Sequence, residues 1–293
     1  MELLATRYAD LPGAQIAYSI VGNGPPLLLL HGFPETHAAW LQAAPLLAPA
    51  FTLVMPDLPG YGDSTITADG GDERYSKQNM ARLLAAFMEQ LGYPAFFIAG
   101  HDRGGRVALR MCLDFPNRIW KAAMLDIIPA ADIADRIDFS LAGSLANWWF
   151  MGQPHPLPET ILTVSHDFYL EYILNQWSGG KSFILPAARD EYFRCFRKRV
   201  VIDAVCAEYR AGNALDLQAE RESRKSGQRI QCSLLVLWSD DGFVTSFGDP
   251  LHIWRQWCGD VTGHQLSASH FLMEEQPTAI ASNFLSFFLA STK

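Results

Sequence analysis

Residues 95–109 read AFFIAGHDRGGRVAL. An apolar run of strand length ends at Gly100, and a helical pattern begins within four residues, so the chain must turn sharply around Asp102. The glycines at 100, 104 and 105 supply the small neighbours that a tight turn needs. A strand, a sharp turn and a helix together lift the central side chain above the sheet, at the positive end of the helix dipole. The stretch therefore predicts an ionised Asp102 carboxylate that faces a pocket.

An aspartate at such a turn favours nucleophilic attack on a saturated carbon. A free aspartate has a pKa of about 3.9 and is an anion at neutral pH, so it needs no base to attack. Attack on an acyl carbon would give a mixed anhydride, whereas displacement at an alkyl carbon gives an ester that water can cleave. The expected electrophile is a carbon that carries a halide or an epoxide oxygen. A phosphate-binding loop is disfavoured, because the carboxylate would repel phosphate.

Two arginines indicate which class of substrate the site would bind. Arg103 and Arg106 follow Asp102 in the first turns of the predicted helix, at a spacing that shares one face. Guanidinium groups can hold a substrate carboxylate by charge-assisted hydrogen bonds and offset its repulsion from Asp102. A structural ion pair is the alternative for either arginine.

The rest of the chain predicts a doubly wound α/β sheet that is interrupted by a helical insertion. Apolar runs alternate with helical patterns up to Asp126, and strand patterns resume at Ser233. Between them lie helical pieces rich in aromatic residues. We predict a core in two parts, residues 1–129 and 217–293, and a helical cap at 130–216 that excludes water from the reacting carbon. The predicted strands are 8–10, 14–20, 26–30, 52–55, 95–100, 119–125, 233–238 and 261–266, and the predicted core helices are 76–91, 104–114, 251–258 and 279–289.

Cleavage of an ester on Asp102 needs a base, and the base needs an acid to fix its tautomer. His270 lies in the loop after the last predicted strand and is the expected base. Two positions compete for the acid. Asp126 ends the strand before the cap, and Asp240 with Asp241 follows the strand after it, so the residues alone leave the choice open.

Donors for the developing charges are also available. The backbone N–H of Phe33, in the loop after strand 26–30, and that of Arg103 are predicted to form an oxyanion hole. The cap residues Asn147, Trp148 and Tyr209 carry donors that can receive a leaving anion. A packed aromatic cap core is the alternative for Trp148 and Tyr209.

Composition excludes several other classes of function. The chain has 293 residues, 49% of them hydrophobic, and a net charge of −8, which disfavours nucleic acid and anionic membranes as partners. Five scattered cysteines without a CxxC motif suggest reduced thiols. The start lacks the order of a signal peptide, and no apolar run reaches the ~20 residues of a membrane span. We therefore expect a cytoplasmic protein. His31 and His37 have no third ligand at a suitable spacing, so no metal site is expected.

Six motifs carry a resemblance that covers nearly the whole chain. They are HGFPET (31–36), DLPGYGDS (57–64), HDRGGR (101–106), QPxP (153–156), EYRA (208–211) and HF (270–271). Together they resemble the fluoroacetate dehalogenases, a haloacetate-hydrolysing branch of the α/β hydrolases that is related to the soluble epoxide hydrolases. The pattern Gly-x-Asp-x-Gly-Gly resembles the nucleophile elbow of that fold, with aspartate in the usual place of serine.

The resemblance implies a complete catalytic set without a cofactor. It implies a nucleophile at Asp102, a base at His270 and the acid at Asp126, which favours Asp126 over Asp240. It also implies a small anionic halogenated carboxylate as the partner, held by Arg103 and Arg106. The two arginines are the specific part of the match, since epoxide hydrolases share several of the other motifs.

The resemblance further implies that Trp148 and Tyr209 receive the halide. Where the family usually has a histidine just before the tryptophan, this chain has Asn147, which can donate a hydrogen bond but cannot become cationic. This departure from the family pattern puts efficient release of fluoride in question more than release of chloride or bromide. Members of the family are commonly homodimers, so a homodimer is expected here by resemblance.

The preferred interpretation is hydrolysis of a 2-haloacid, such as fluoroacetate or chloroacetate, to the 2-hydroxyacid through an ester on Asp102. The first alternative is an epoxide hydrolase, in which a pair of cap tyrosines normally protonates the epoxide oxygen. Tyr209 supplies one tyrosine, the sequence shows no clear partner, and Arg103 stands where those enzymes usually have an aromatic residue. The second alternative is a ligand-binding protein on a hydrolase scaffold.

Overall fold

A mostly parallel sheet forms the centre of the protein. The computed structural model describes residues 3–241 and 243–290, so the outermost ends of the predicted core segments and Gly242 lie outside the described residues. The described strands are β1 (Arg7–Leu11), β2 (Ala14–Val21), β3 (Pro26–Leu30), β4 (Thr52–Pro56), β5 (Thr65–Ile66), β6 (Phe96–His101), β7 (Ile119–Leu125), β8 (Ser233–Ser239) and β9 (Val261–Leu266).

The strand order is β1-β2-β4-β3-β6-β7-β8-β9, with β5 paired to β2. The first strands pair antiparallel, and every pair from β4 through β3, β6, β7 and β8 to β9 is parallel. Because β3, β6, β7 and β8 are neighbours, the loops after their carboxyl ends meet at one edge of the sheet. The predicted doubly wound α/β class is confirmed.

Helices cover the sheet and the edge where these loops meet. They are α1 (Ala44–Leu47), α2 (Lys77–Gln90), α3 (Asp102–Asp114), α4 (Ala130–Arg136), α5 (Phe139–Ala142), α6 (Ala146–Met151), α7 (Leu157–Trp177), α8 (Pro186–Phe196), α9 (Arg199–Ala211), α10 (Leu217–Ser226), α11 (Pro250–Trp254), α12 (Leu272–Glu275) and α13 (Pro277–Leu289). Within the described residues, no strand interrupts the chain from α4 to α10. Among all the described residues, no helix has both the length and the apolar character to cross a membrane.

The core follows from the apolar strand runs. The leucines of β3 are fully buried, as expected for a parallel strand covered on both faces. On one side, Phe288 of α13 contacts Phe51 and Phe97 at ring-centroid distances of 6.2 and 5.1 Å. Helix α2 starts at a cap, since the Ser76 hydroxyl accepts a hydrogen bond from the Asn79 N–H at 3.3 Å.

Some predicted elements differ from the structure at their ends, and two of these differences have a clear structural cause. The helix predicted for residues 251–258 ends at Trp254, because Trp257 turns inward and donates its indole N–H to Asp132 at 2.8 Å. The helix predicted to begin at Gly104 begins at Asp102 itself. A tertiary contact sets the end of the first helix, and the sharp turn sets the start of the second. The spacing of apolar residues in the sequence does not show where such helices begin or end.

Candidate active site

The predicted sharp turn is present between β6 and α3. Asp102 has a φ of 42°, a left-handed conformation that non-glycine residues seldom adopt. The neighbouring glycines make it possible, because a Cβ on Gly100 would lie 2.5 Å from the Gly104 carbonyl oxygen. The turn places Asp102 at the N-terminus of α3 and at the wall of a cavity.

Gly104 gives a direct test of this turn. A Cβ there would lie 2.3 Å from the His31 carbonyl oxygen, so we expect Gly104→Ala to lower the free energy of unfolding by about 1–3 kcal/mol. Gly259→Ala is the matched control, since a Cβ at Gly259 meets no atom within 4 Å. Urea denaturation of both variants checks the prediction, and equal losses would argue against a sterically closed turn.

The candidate base and its candidate acid lie close together at the same edge of the sheet. His270 Nδ1 lies 2.7 Å from Asp126 Oδ2, while Asp126 Oδ1 accepts hydrogen bonds from the backbone N–H and the hydroxyl of Ser239, each at 2.9 Å. Asp240 instead accepts the Ala268 N–H at 3.1 Å. Of the two acids that the residues left open, only Asp126 therefore contacts His270.

The predicted oxyanion donor lies beside Asp102. The Phe33 N–H donates to Asp102 Oδ2 at 3.1 Å, because the loop after β3 runs alongside the turn after β6. Asp102 and His270 line one cavity, so the structure brings together the candidate nucleophile, one candidate oxyanion donor and the candidate base.

Charge couples Asp102 to His270. Burial alone would lower the pKa of His270, but its hydrogen bond to Asp126 and the charges of Asp126 and Asp102 raise the pKa to about 9. Burial would likewise raise the pKa of Asp102, but the charges of His270 and Arg103 hold it below its usual value. These charges therefore favour the protonated form of His270 at neutral pH.

This coupling predicts a pH dependence. A histidine whose pKa is raised by folding, here from 6.5 to about 9, stabilises the protein fully below pH 6.5 and loses that contribution as the pH rises to about 9. We expect the difference in unfolding free energy between the wild type and His270→Gln to shrink across this window. NMR titration of the His270 ring is the second measurement. Asp102→Asn is expected to lower the pKa of His270, and an unchanged value would contradict the coupling.

Both arginines line the cavity, but their guanidinium groups have different partners. Both are buried, with exposed fractions of 2% for Arg103 and 6% for Arg106. Arg103 forms a bidentate ion pair with Glu208 through Nε and Nη2, which leaves Nη1 outside that pair. Arg106 donates from Nη1 to the Ile128 carbonyl oxygen at 3.3 Å, and its Nε has no hydrogen-bond partner. Burial and the charge of Arg103 lower the pKa of Arg106 to about 10, so it remains a cation at neutral pH.

A buried charge network behind Arg103 was not predicted. Glu208 contacts Lys77 Nζ as well as Arg103, and it accepts the Tyr61 hydroxyl at 3.0 Å. Lys77 Nζ also lies 3.6 Å from Asp216 Oδ2. Glu208 belongs to a motif noted in the sequence, but nothing in the pattern around Lys77 separates it from an ordinary surface lysine at a helix start.

A second buried pair, His101 with Glu35, contacts the backbone of His270 and was also not predicted from the sequence. His101 Nδ1 lies 2.9 Å from Glu35 Oε2, and His101 Nε2 lies 2.9 Å from the backbone oxygen of His270. Glu35 lies in the motif HGFPET and His101 in the motif HDRGGR, so the motifs mark both residues. The spacing of the two residues in the sequence does not reveal that they are in contact. The pair connects the loop of His270 to the turn that carries Asp102.

The predicted leaving-group donors lie together in the helical layer. Trp148 stacks on Arg106, with the guanidinium carbon 4.6 Å from the ring centroid, and its buried indole N–H has no partner. The Tyr209 ring stacks on Arg103, with the guanidinium carbon 4.1 Å from the ring centroid. Asn147 Nδ2 donates to the Tyr209 hydroxyl oxygen at 3.2 Å, and its Oδ1 accepts the hydroxyl of Tyr169.

These groups enclose one cavity of about 440 Å³. It is lined by Asp102, Arg103, Arg106, Asn147, Trp148, Tyr209 and His270, with further residues of the helical layer and of the loops after β8. An anionic oxygen, two cations and an unpartnered N–H thus face one partly enclosed space. Such a site can bind a small anion and expose its carbon to a carboxylate.

One group of possible metal ligands occurs among the described residues. Asp63, Glu191 and Cys195 offer ligand atoms within 4.8 Å of one another. Both carboxylates are already paired with Arg194, and Asp63 also contacts Lys198. None of the three lines the cavity, so they offer nothing to its chemistry.

The chain is similar in sequence to known proteins over most of its length. A family model for the alpha/beta hydrolase fold matches residues 25–277. A fluoroacetate dehalogenase from a Burkholderia species is 34% identical over 92% of this chain and 89% of that protein. A soluble epoxide hydrolase from Corynebacterium sp. strain C12 is 28% identical over 96% of each chain.

A solved structure gives the same result in three dimensions. A single-site variant of a candidate epoxide hydrolase from Pseudomonas aeruginosa, with bound MFA, has a TM-score of 0.92 and 37% identity over 97% of this chain and 95% of that chain. The resemblance to the fluoroacetate dehalogenases that the motifs indicated is confirmed. The fold, the match to the family model and these relatives together show that the chain belongs to the α/β-hydrolase family.

Proposed function

We propose that this hydrolase converts 2-haloacids, such as fluoroacetate or chloroacetate, to 2-hydroxyacids through an ester on Asp102. The observation that carries the proposal is the cation beside the nucleophile. Arg106 lines the cavity with Asp102, is buried, and forms no ion pair among the described residues. A buried, unpaired guanidinium is costly to maintain and is stabilised when an anion binds to it.

Substrate binding and the first step follow from these groups. The substrate carboxylate binds Arg106 and the part of the Arg103 guanidinium that Glu208 leaves free. An Asp102 oxygen then attacks the halogen-bearing carbon, the new C–O bond forms, and the C–X bond breaks with its electron pair going to the halide. Trp148 and Tyr209 donate hydrogen bonds to the leaving anion.

The second step uses His270. Esterification removes the charge of Asp102, which is one of the causes of the raised pKa of His270, so the imidazolium loses its proton more readily in the ester. It then takes a proton from a water that attacks the ester carbonyl carbon. The Phe33 N–H, with that of Arg103, stabilises the oxyanion. The bond between the carbonyl carbon and the alkyl oxygen then breaks, His270 returns the proton to that oxygen, and the 2-hydroxyacid leaves as Asp102 is restored.

Epoxide hydrolysis is the second candidate, and Tyr209 is the observation that favours it. Tyr209 lines the cavity, and its hydroxyl can donate a proton to an epoxide oxygen. Tyr172 also lines the cavity, whereas Tyr169 is hydrogen-bonded to Asn147 and does not line it. The buried Arg106 favours dehalogenation over this candidate, because an epoxide has no carboxylate for the guanidinium to hold.

Halide release from fluoro-, chloro- and bromoacetate, measured beside hydrolysis of styrene oxide, tests the proposal. We expect release from at least one haloacetate and little or no diol from the epoxide. The reverse result would establish the second candidate. Thermal stabilisation by haloacids with no product from either class would instead indicate a ligand-binding protein. Cytoplasmic location, a homodimeric state and the cap boundaries stay predictions.

A further inference from the structure

Three polar side chains of the helical layer form one chain of hydrogen bonds that ends at the cavity. The Tyr169 hydroxyl on α7 donates to Asn147 Oδ1 on α6, and Asn147 Nδ2 donates to the Tyr209 hydroxyl oxygen on α9 at 3.2 Å. Asn147 and Tyr209 line the cavity, whereas Tyr169 does not. The hydrogen-bonded path from Tyr169 to the cavity therefore runs through Asn147.

The direction of these bonds decides what Tyr209 can do. Because the Tyr209 oxygen accepts a hydrogen bond from Asn147, its own proton is not used to hold that amide and remains free to donate into the cavity. A hydroxyl oxygen that accepts one hydrogen bond becomes a stronger donor in the next. Burial raises the pKa of both Tyr169 and Tyr209, so both hydroxyls keep their protons at neutral pH.

We propose that Tyr169 is a positioning residue for the leaving group: it fixes the Asn147 amide so that the Tyr209 hydroxyl points its proton at the departing halide. The inference rests on the proposed dehalogenation. It adds that the site compensates for the missing family histidine at position 147 with a hydrogen-bond relay that starts outside the cavity. No proton is transferred along the relay, since the halide leaves as an anion and only accepts hydrogen bonds.

The relay should matter in proportion to the basicity of the leaving anion. Of fluoride, chloride and bromide, fluoride is the most basic and the strongest hydrogen-bond acceptor, and bromide is the weakest. Loss of a properly aimed donor should therefore slow C–F cleavage most and C–Br cleavage least. A purely structural role of Tyr169 would change the three reactions by the same factor.

The variant Tyr169→Phe removes only the hydroxyl. Its ring keeps its neighbours Phe150 and Phe196, at centroid distances of 5.8 and 6.4 Å. In single-turnover measurements we expect the rate with fluoroacetate to fall about tenfold, with chloroacetate less, and with bromoacetate less than about twofold. Tyr172→Phe is the control, one turn along the same helix. Tyr172 lines the cavity and is half exposed, and it makes no hydrogen bond to Asn147 or Tyr209 among the described residues, so any effect should be equal for the three halides.

A double-mutant cycle tests the path through Asn147. Asn147→Leu should reproduce the halide-dependent loss, and Tyr169→Phe should then have no additional effect in that background. An equal loss for all three halides, a gain with fluoroacetate, or a Tyr169→Phe effect that persists in Asn147→Leu would overturn the relay.

A binding measurement separates this inference from the proposed function. Fluoride titration, followed by the indole N–H resonance of Trp148, needs no turnover. We expect Tyr169→Phe to weaken fluoride binding about tenfold and bromide binding less. If the wild type binds fluoride through the relay but releases no halide from any substrate, the proposed function fails and the relay stands. Equal fluoride affinity in the wild type and the variant, or no binding to the wild type, refutes the relay.

Discussion

The variant His270→Asn is expected to react once with a haloacetate and then stop, with the ester retained on Asp102. Formation of the ester needs only an ionised Asp102, whereas its cleavage needs a base held by Asp126, which asparagine cannot replace. Turnover should fall by about 10⁴-fold. Intact-mass analysis should show a gain of one carboxymethyl group, and peptide mapping should place it on residue 102.

Two controls make this result specific. Asp102→Asn should show neither turnover nor adduct, because an amide cannot attack as a carboxylate does. His264→Asn changes an exposed histidine on the edge strand β9 and should leave turnover as in the wild type. Steady turnover by His270→Asn, or an adduct on another residue, would refute the ester mechanism. A single wild-type turnover in ¹⁸O-labelled water should label Asp102 and leave the product unlabelled.

The variant Arg106→Gln is expected to raise KM for haloacetates by about 10- to 100-fold, with a smaller change in kcat. The substitution removes the charge that faces the substrate carboxylate but keeps an amide donor on a shorter side chain. A neutral haloacetamide has no carboxylate to hold, so its KM should change little. Steady-state kinetics with the charged and neutral substrates check this contrast.

Arg110→Gln is the matched control for that substitution. Arg110 lies one turn further along α3, is buried, and pairs with Asp114 outside the cavity. Its loss should lower stability without changing the preference for haloacetate over haloacetamide. Equal effects of the two variants on that preference would show that Arg106 has a structural role, and the dehalogenase proposal would lose its main support.

Much of the catalytic edge could be predicted because the signal is local. The glycines around Asp102 report a turn with a positive φ, and the apolar run of β3 reports a buried strand whose loop reaches the same edge. The choice between Asp126 and Asp240 could not be made from the residues, since both end parallel strands. It depends on which side chain faces His270, and in the structure that side chain belongs to Asp126.

The remaining parts of the site could not be predicted because they depend on contacts between distant segments. Lys77 is buried only because α2 begins where Glu208 and Asp216 lie. Tyr169 meets Asn147 through the packing of two helices whose apolar pattern reads simply as an aromatic core. Periodicity reports that such helices are buried, but it does not report which polar groups meet inside them.

The ion pair behind Arg103 constrains how this site can change over generations. Glu208 is fully buried and is paired with Arg103, so replacing Arg103 alone with the aromatic residue usual in epoxide hydrolases would leave a buried carboxylate without its bidentate partner, at a cost of about 3–5 kcal/mol. A lineage that exchanges one chemistry for the other must therefore alter Glu208 or Lys77 along with it. Residues 77, 103 and 208 should be inherited as a set, and swaps made one at a time in directed evolution should pass through poorly folding intermediates.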